Sequence, residues 1–312
     1  VRLTLKPIEI DNLMKTIDPK ELEIAKFHGL LLGAVAPRPI AFASTIDADG
    51  KPNLSPFSFF NVFSANPPIA IFSPARRVRG NTTKHTLENV EVVKEVVINV
   101  VSYAMVQQMN LASTEYPEGV NEFEKAGFSP LTSDLVRPFR VKESPVQFEC
   151  KVREVIKLGE EGGAGNLIVA EILRMHIDEN VLDSYGNIDP NRIDLVARMG
   201  NDWYCRASGI ALFELAKPGR DHGIGVNALP MHVRNSRILT GNDLGLLGGI
   251  SELPTAEEIK AYRSQSKLDE LIQEKGNNPS EVEKQLHQNA KMLLSEGKVK
   301  EACMMLLLLD EN

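Results

Sequence analysis

Thr82, Thr83, Lys84 and Thr86 place three hydroxyls and one ammonium side by side, just ahead of Leu87, Val90 and Val93, whose spacing predicts a helix. A helix start offers unpaired backbone N–H groups and the positive end of the helix dipole, so hydroxyls and a lysine there suit a phosphate. Upstream, Ser44, Thr45, Asn53, Ser55, Ser58 and Ser73 scatter hydrogen-bonding groups through apolar runs, with Phe42, Phe57 and several prolines as apolar walls. These residue types match what a bound mononucleotide needs: ring faces, a polar ring edge and a phosphate. They also have plain structural uses, with Thr83 as a helix cap, Lys84 as a solvated charge and Phe57 as core.

The elements that must position them are mostly strands. Runs at 40–45 and 53–62 flank Asp49-Gly50, a strong hairpin signal. Along 53–62, Asn53, Ser55 and Phe57 share one face, while Leu54 and Ser58 take the other. Pro67-Pro68 precedes a short apolar strand at 69–73, and 96–101 is a buried strand by composition. A helix is expected at 103–111, followed by an acidic, proline-broken excursion at 113–144. Val146, Phe148, Cys150 and Val152 then alternate with Gln147, Glu149, Lys151 and Arg153, the pattern of a strand with one wet face. Its antiparallel partner is expected at 167–177, with a last β region at 194–214.

Two glycine-rich stretches carry no phosphate-loop reading. The run at 159–165 leads into Ile168-Val169 between two strands, which makes it a hairpin loop, and Gly223-Ile224-Gly225 lacks the third glycine of a dinucleotide fingerprint. Beyond Lys217-Pro218-Gly219 the composition shifts to helix formers, with starts at Thr255, Pro279 and Lys298. Many strands, early helices and no βαβ rhythm predict a mainly β barrel or sandwich rather than a doubly wound sheet. The expected organisation is an N-terminal extension at 1–29, a β domain at 30–216 and a helical extension at 217–312.

Composition removes several function classes. The net charge of -7 comes without a Lys/Arg block, so nucleic acid is not an expected partner. Cys150, Cys205 and Cys303 are too dispersed for a disulfide framework or zinc site, and no histidine pair has metal-ligand spacing, so no metal is expected. The longest apolar run, 302–309, is far below the ~20 residues of a membrane span. With no signal-peptide pattern in 1–19, a cytoplasmic protein is expected.

Several spaced motifs carry a resemblance. Pro37-Arg38-Pro39-Ile40-Ala41, Asp49-Gly50, the run from Asn53 to Asn61, Asn66-Pro67-Pro68 and Lys84-His85-Thr86 follow one another in order. Asn121-Glu122-Phe123-Glu124-Lys125-Ala126-Gly127, Ser144-Pro145-Val146-Gln147-Phe148-Glu149-Cys150 and Ala197-Arg198-Met199-Gly200 ahead of Tyr204 complete the set. Over about residues 30–215 the chain resembles the flavin reductase-like, FMN-binding split-barrel family, in particular its flavoredoxin-like members.

The resemblance implies a six-stranded split β-barrel, a homodimer, and FMN near the subunit interface. It places Ser44, Thr45 and the segment 53–58 along the flavin, with Thr83, Lys84 and Thr86 toward the phosphate. Arg38 and Arg198 could contact cofactor or substrate, or pair with a carboxylate across the dimer. One departure stands out: relatives that draw on nicotinamide often carry Gly-Asp-His after the hairpin, and here that neighbourhood reads Ala164-Gly165-Asn166.

The leading expectation is an FMN oxidoreductase that takes hydride from NADH or NADPH, with no catalytic acid–base residue of its own. One alternative is an FMN electron carrier served by a redox partner protein, toward which the missing histidine points. The other is a non-catalytic scaffold whose helical tail binds a partner. The run Met304-Met305-Leu306-Leu307-Leu308-Leu309 has no polar face, and packing within a homodimer is its expected cover.

Overall fold

The Asp49-Gly50 signal does close a hairpin: β1, Ala41–Ile46, runs antiparallel to β2, Pro52–Phe57, with Ala43 opposite Ser55. Gly50 sits at φ +85°, a left-handed conformation that a side chain disfavours. The computed structural model describes residues 14–215, 217, 222–265, 268–275 and 278–309. The chain divides after Phe213 into a mainly β unit and a helical unit.

In the β unit, α1 is Ile24–Ala34 and β3 and β4 are Phe60–Ala65 and Pro68–Phe72. Helix α2, His85–Val93, leads into β5, Glu95–Val100, and then α3, Val106–Leu111, and α4, Glu122–Ala126. The two-residue strands β6, Pro130–Leu131, and β7, Arg140–Val141, pair with each other. The long strands β8, Val146–Lys157, and β9, Asn166–Ile177, form the second hairpin, and α5, Pro190–Ile193, precedes the small ladder of β10, Leu195–Arg198, with β11, Tyr204–Ala207.

One antiparallel sheet runs in the order β2-β1-β5-β8-β9-β4-β3. It has seven strands where six were expected, because the run 53–62 bends at Ser58-Phe59 and becomes β2 and β3. Those two strands end up at opposite edges of the order, yet only two residues join them. Laid flat, six inter-strand gaps would span about 29 Å. The three Cα–Cα steps from Phe57 to Phe60 reach at most about 11 Å. The sheet must therefore curl until its edges approach, and an open seam remains because the order does not close.

The curl gives β1 two buried faces. Ala41 and Ala43 join Phe57, Phe72, Ile98 and Cys150 in one core, over which α2 lays Leu87 and Val90. Ile40, Phe42 and Leu54 face a second core built with Met105, Met109, Phe123 and Phe128. Helix α4 is tied to β2 by the buried Glu122 carboxylate, which accepts the Leu54 N–H at 3.0 Å.

The expected wet face of β8 is dry at Gln147 and Glu149. The segment after β6 crosses it, and the Glu149 carboxylate, 0% exposed, accepts the backbone N–H groups of Asp134, Leu135 and Val136 at 2.9, 2.6 and 3.2 Å. His176 Nε2 completes the set at 2.6 Å. Lys151 and Arg153 keep to solvent as the pattern implies.

The helical unit contains α6, Met231–Arg234; α7, Gly241–Gly248; α8, Ala256–Gln265; α9, Leu268–Glu274; α10, Pro279–Ser295; and α11, Val299–Leu307. Thr255 and Glu258 form the reciprocal cap that opens α8. The leucine run at 306–308 is covered by this unit itself: Leu306, Leu307 and Leu308 pack with Leu247, Leu286 and Leu294 in its own core, without a second subunit. No helix among the described residues is long and apolar enough to cross a membrane.

His287 sits in that unit at 2% exposure, its Nδ1 2.8 Å from the Ser236 hydroxyl and its Nε2 without a partner among the described residues. Burial lowers its pKa, with His232 acting in the same sense and Glu283 opposing. The unfolded chain therefore binds a proton that the folded unit refuses. Stability conferred by neutral His287 is present above the ordinary value near pH 6.5 and is lost at up to about 1.4 kcal/mol per pH unit below it, until the folded pKa is reached. Thermal melts of the full chain at about pH 5.5 and 7.5 should show a smaller midpoint difference for His287→Leu than for the unaltered protein; equal differences would contradict this.

Candidate functional site

Helix α2 begins at His85, so Lys84 rather than Thr83 takes the N-cap position, and neither side chain caps the helix. The Thr83 hydroxyl is bonded to the Glu88 carboxylate instead. Lys84 lays its ammonium over the Phe57 ring, 5.4 Å from the centroid. Burial, then the Arg77 charge, lowers the lysine pKa, while Glu115 pulls it the other way.

Arg77 is the second cation of this corner. It donates to Glu115 at 2.9 Å, to the Thr82 hydroxyl at 3.0 Å and to the Thr83 carbonyl at 2.6 Å. Arg77 and Lys84 border a small recess of ≈ 30 Å³ with Ser55, Thr86, Ser113 and Thr114. The donor set is two cations, four hydroxyls and the first turn of α2, a composition that fits a phosphate. Glu115, held below the usual carboxylate range by its bond to Arg77, occupies the side of Arg77 that a phosphate would compete for.

A larger cavity of ≈ 230 Å³ adjoins this corner along β2, with Ser113 on the wall of both. Pro56, Phe57 and Ser58 form one side, and Met109, Arg198 and Tyr204 the other. Its walls mix the apolar side chains of Ile40, Pro56, Phe57 and Met109 with the polar groups of Ser58, Asn110, Ser113, Arg198 and Tyr204, which suits a flat heteroaromatic ring with a polar edge.

The predicted residues thus separate into two groups. Asn53, Ser55, Phe57, Ser58, Lys84 and Thr86 come together around these two spaces, as expected from their types. The others do not. Ser44 is fully buried, its hydroxyl without a partner among the described residues, and Thr45 receives the side-chain amides of Asn89 at 3.0 Å and Asn53 at 3.4 Å. Ser73 accepts the Asn166 N–H at 3.0 Å. Arg38, 5% exposed, gives its guanidinium to the carbonyls of Leu32, Val35 and Met199 and, at 3.4 Å, to the Ser58 hydroxyl, so it fastens the end of α1 and the bend after β2 to the turn after β10 and lines neither space itself. Arg77, Ser113, Thr114, Met109 and Tyr204 escaped sequence reasoning. Ser113-Thr114 directly after α3 was the available signal, a hydroxyl pair at a helix end.

Comparison with known proteins gives the family of the β unit. The sequence model of the flavin reductase like domain matches residues 33–192. The chain belongs to the flavin reductase-like family. An uncharacterized protein of Aquifex aeolicus is 38% identical over 190 residues, 61% of this chain and 94% of the relative. Among solved structures, nitrilotriacetate monooxygenase component B from Bacillus cereus shares 29% identity at a TM-score of 0.61, covering 65% of this chain and 100% of that one. A split barrel domain protein of Shewanella frigidimarina, described as a flavin reductase, shares 27% at 0.53, covering 63% and 96%. The family match encloses β2, Arg77, Lys84 and Ser113, and ends before Arg198, Tyr204 and the helical unit.

Asn166 stands in the Ala164-Gly165-Asn166 neighbourhood that departs from the Gly-Asp-His pattern of the resemblance. It is 1% exposed and donates to the Pro74 carbonyl at 2.9 Å, so it staples β9 to the segment after β4 and borders neither space. A group of ligand atoms elsewhere, Asp134, Glu149 and His176, is close enough to hold a cation. Its members are already engaged: Glu149 by three N–H groups and His176, and Asp134 by Arg174 at 2.7 Å. It is a structural clamp.

Proposed function

We propose that this chain is a flavin-dependent oxidoreductase that holds FMN along β2, with the phosphate at Lys84 and Arg77 and the ring between Phe57 and Tyr204. The observation that carries the reading is the cationic corner, within the segment that the family model matches, joined through Ser113 to a cavity along β2 that Arg198 and Tyr204 complete from beyond that segment. Bound flavin would supply the redox chemistry, accepting a hydride from NADH or NADPH and passing electrons onward. The chain's part is binding and electrostatics. Lys84 and Arg77 offset the phosphate charge, Ser55, Ser113 and Thr114 satisfy its oxygens, and Phe57 and Met109 keep water from the ring face. The Arg198 guanidinium at the rim favours electron density on the neighbouring ring.

In this reading the protein works in the cytoplasm as a homodimer with FMN near the subunit interface. Exposed apolar side chains on the seam strand β3, Val62 and Phe63 at 52% and 65%, and Leu30 and Leu31 on α1, support a second copy. The carrier alternative is favoured by one observation, the conversion of the expected histidine position into the buried staple Asn166. Anaerobic stopped-flow mixing of FMN-loaded protein with NADH or NADPH separates the two. Bleaching of the flavin band within seconds is expected; reduction by neither nucleotide would replace the oxidoreductase reading with the carrier.

A further inference from the structure

A second recess of ≈ 430 Å³ shares Asn110, Arg198 and Tyr204 with the ring-end cavity, so Arg198 borders both spaces. Two arginines in it lie on two phenol rings: Arg198 is 4.6 Å from the Tyr204 centroid and Arg206 is 4.0 Å from that of Tyr103. Their charges are in different states. Both ends of the Arg206 fork are filled by Asp194 at 2.7 Å. Arg198 gives one N–H to the Asn201 carbonyl at 2.9 Å and, among the described residues, has no carboxylate at ion-pair distance, although Asp202 also borders the recess.

Arg198 is also held in place. It pairs with Tyr204 across the β10–β11 ladder, and its backbone exchanges two 2.9 Å hydrogen bonds with Arg38. A guanidinium on a fixed backbone with N–H groups to spare recognises a carboxylate, and the apolar side chains of Val106 and Val196 in the same recess take a flat ring.

We infer that this recess binds the second reactant, and that it selects a planar aromatic carboxylate whose anionic group is read by Arg198. The recess volume suits a single-ring compound and its substituents. The assignment rests on the flavin reading only for what occupies the neighbouring cavity.

Benzoate and its neutral isostere benzamide are the probes, titrated calorimetrically into the full-length chain with and without FMN. Benzoate is expected to bind about tenfold more tightly or better. Arg198→Gln should erase that preference and Arg198→Lys should keep part of it. Equal binding of the two probes to the unaltered protein, which needs no variant to fold, would overturn the inference. So would a preference that survives in Arg198→Gln. FMN uptake, measured on the same samples, distinguishes the two claims: benzoate preference in a chain that takes up no FMN would end the flavin reading and uphold the carboxylate site.

Discussion

Replacing Lys84 by methionine is expected to weaken FMN binding by about tenfold to a hundredfold while changing riboflavin binding by less than about twofold. The two ligands differ by the phosphate, and Lys84 is the cation that stands at once over Phe57 and beside the phosphate corner. A charge-assisted bond to a half-buried group contributes roughly 1.5–3 kcal/mol, which sets the size of the effect. Methionine keeps the stem that covers the Phe57 ring, so packing is largely retained. Arg77 does not compensate in full, because Glu115 already holds it. Fluorescence titrations of both ligands check this, and FMN affinity should fall with added salt more steeply in the unaltered protein than in Lys84→Met. Because burial lowers the lysine pKa, FMN affinity should begin to drop at a lower pH than an ordinary lysine would give. Equal losses for FMN and riboflavin would show that Lys84 acts through Phe57 rather than through phosphate.

Glu149→Ala is expected to have the largest effect on stability, roughly 3–5 kcal/mol, or about 10 °C in melting temperature for a unit of this size. The substitution takes the shared acceptor from three backbone N–H groups and His176, of which the Val136 N–H is buried and the rest half-buried. Glu149→Gln should recover part of the loss, since one oxygen still accepts. Burial by itself would raise the carboxyl pKa. The Asp134 N–H, His176 and the Leu135 N–H outweigh it and hold the group below the ordinary carboxylate value. The sign follows from that depression: the stabilisation is complete above about pH 4.3 and is lost as pH falls through the folded pKa. FMN affinity in the surviving folded protein should not change, because Glu149 borders neither the phosphate corner nor the ring-end cavity. A melting temperature within about 2 °C of the unaltered protein would contradict the clamp.

What the sequence discloses and what it hides follow from the range of each interaction. Asp49-Gly50 and the alternation around it are local, so the hairpin and the face shared by Asn53, Ser55 and Phe57 are legible directly. Lys84 and Thr86 are legible because hydroxyls and a cation at a helix start have a chemical meaning within five residues. Arg77, Ser113 and Tyr204 are brought to the same place by the curl of the sheet and by the β10–β11 ladder, and no short window contains them together. Ser44 and Thr45 have the right chemistry but lie on opposite faces of a strand that is buried on both, where Ser44 is enclosed and Thr45 accepts from Asn89 and Asn53. Glu149 alternates as a solvent-facing residue should, and only the crossing segment after β6 makes it a buried acceptor. The bend that splits 53–62 is likewise invisible in composition: Ser58-Phe59 looks like strand, and the need to reach both edges of the sheet breaks it. In the helical unit, Pro279 and the apolar run at 306–308 mark α10 and α11 plainly, whereas the cover over that run comes from helices as far away in sequence as α6, whose His232 reaches the Leu306 carbonyl across 74 residues.

The central claim is that the corner at Lys84 and Arg77 and the cavity along β2 together hold FMN. Its most direct test is the visible absorption spectrum of the purified full-length chain after incubation with excess FMN and removal of the unbound fraction. A yellow protein retaining about one FMN per chain, and releasing it when Lys84 is methionine, is the predicted result. A protein that stays colourless after the same treatment would contradict it.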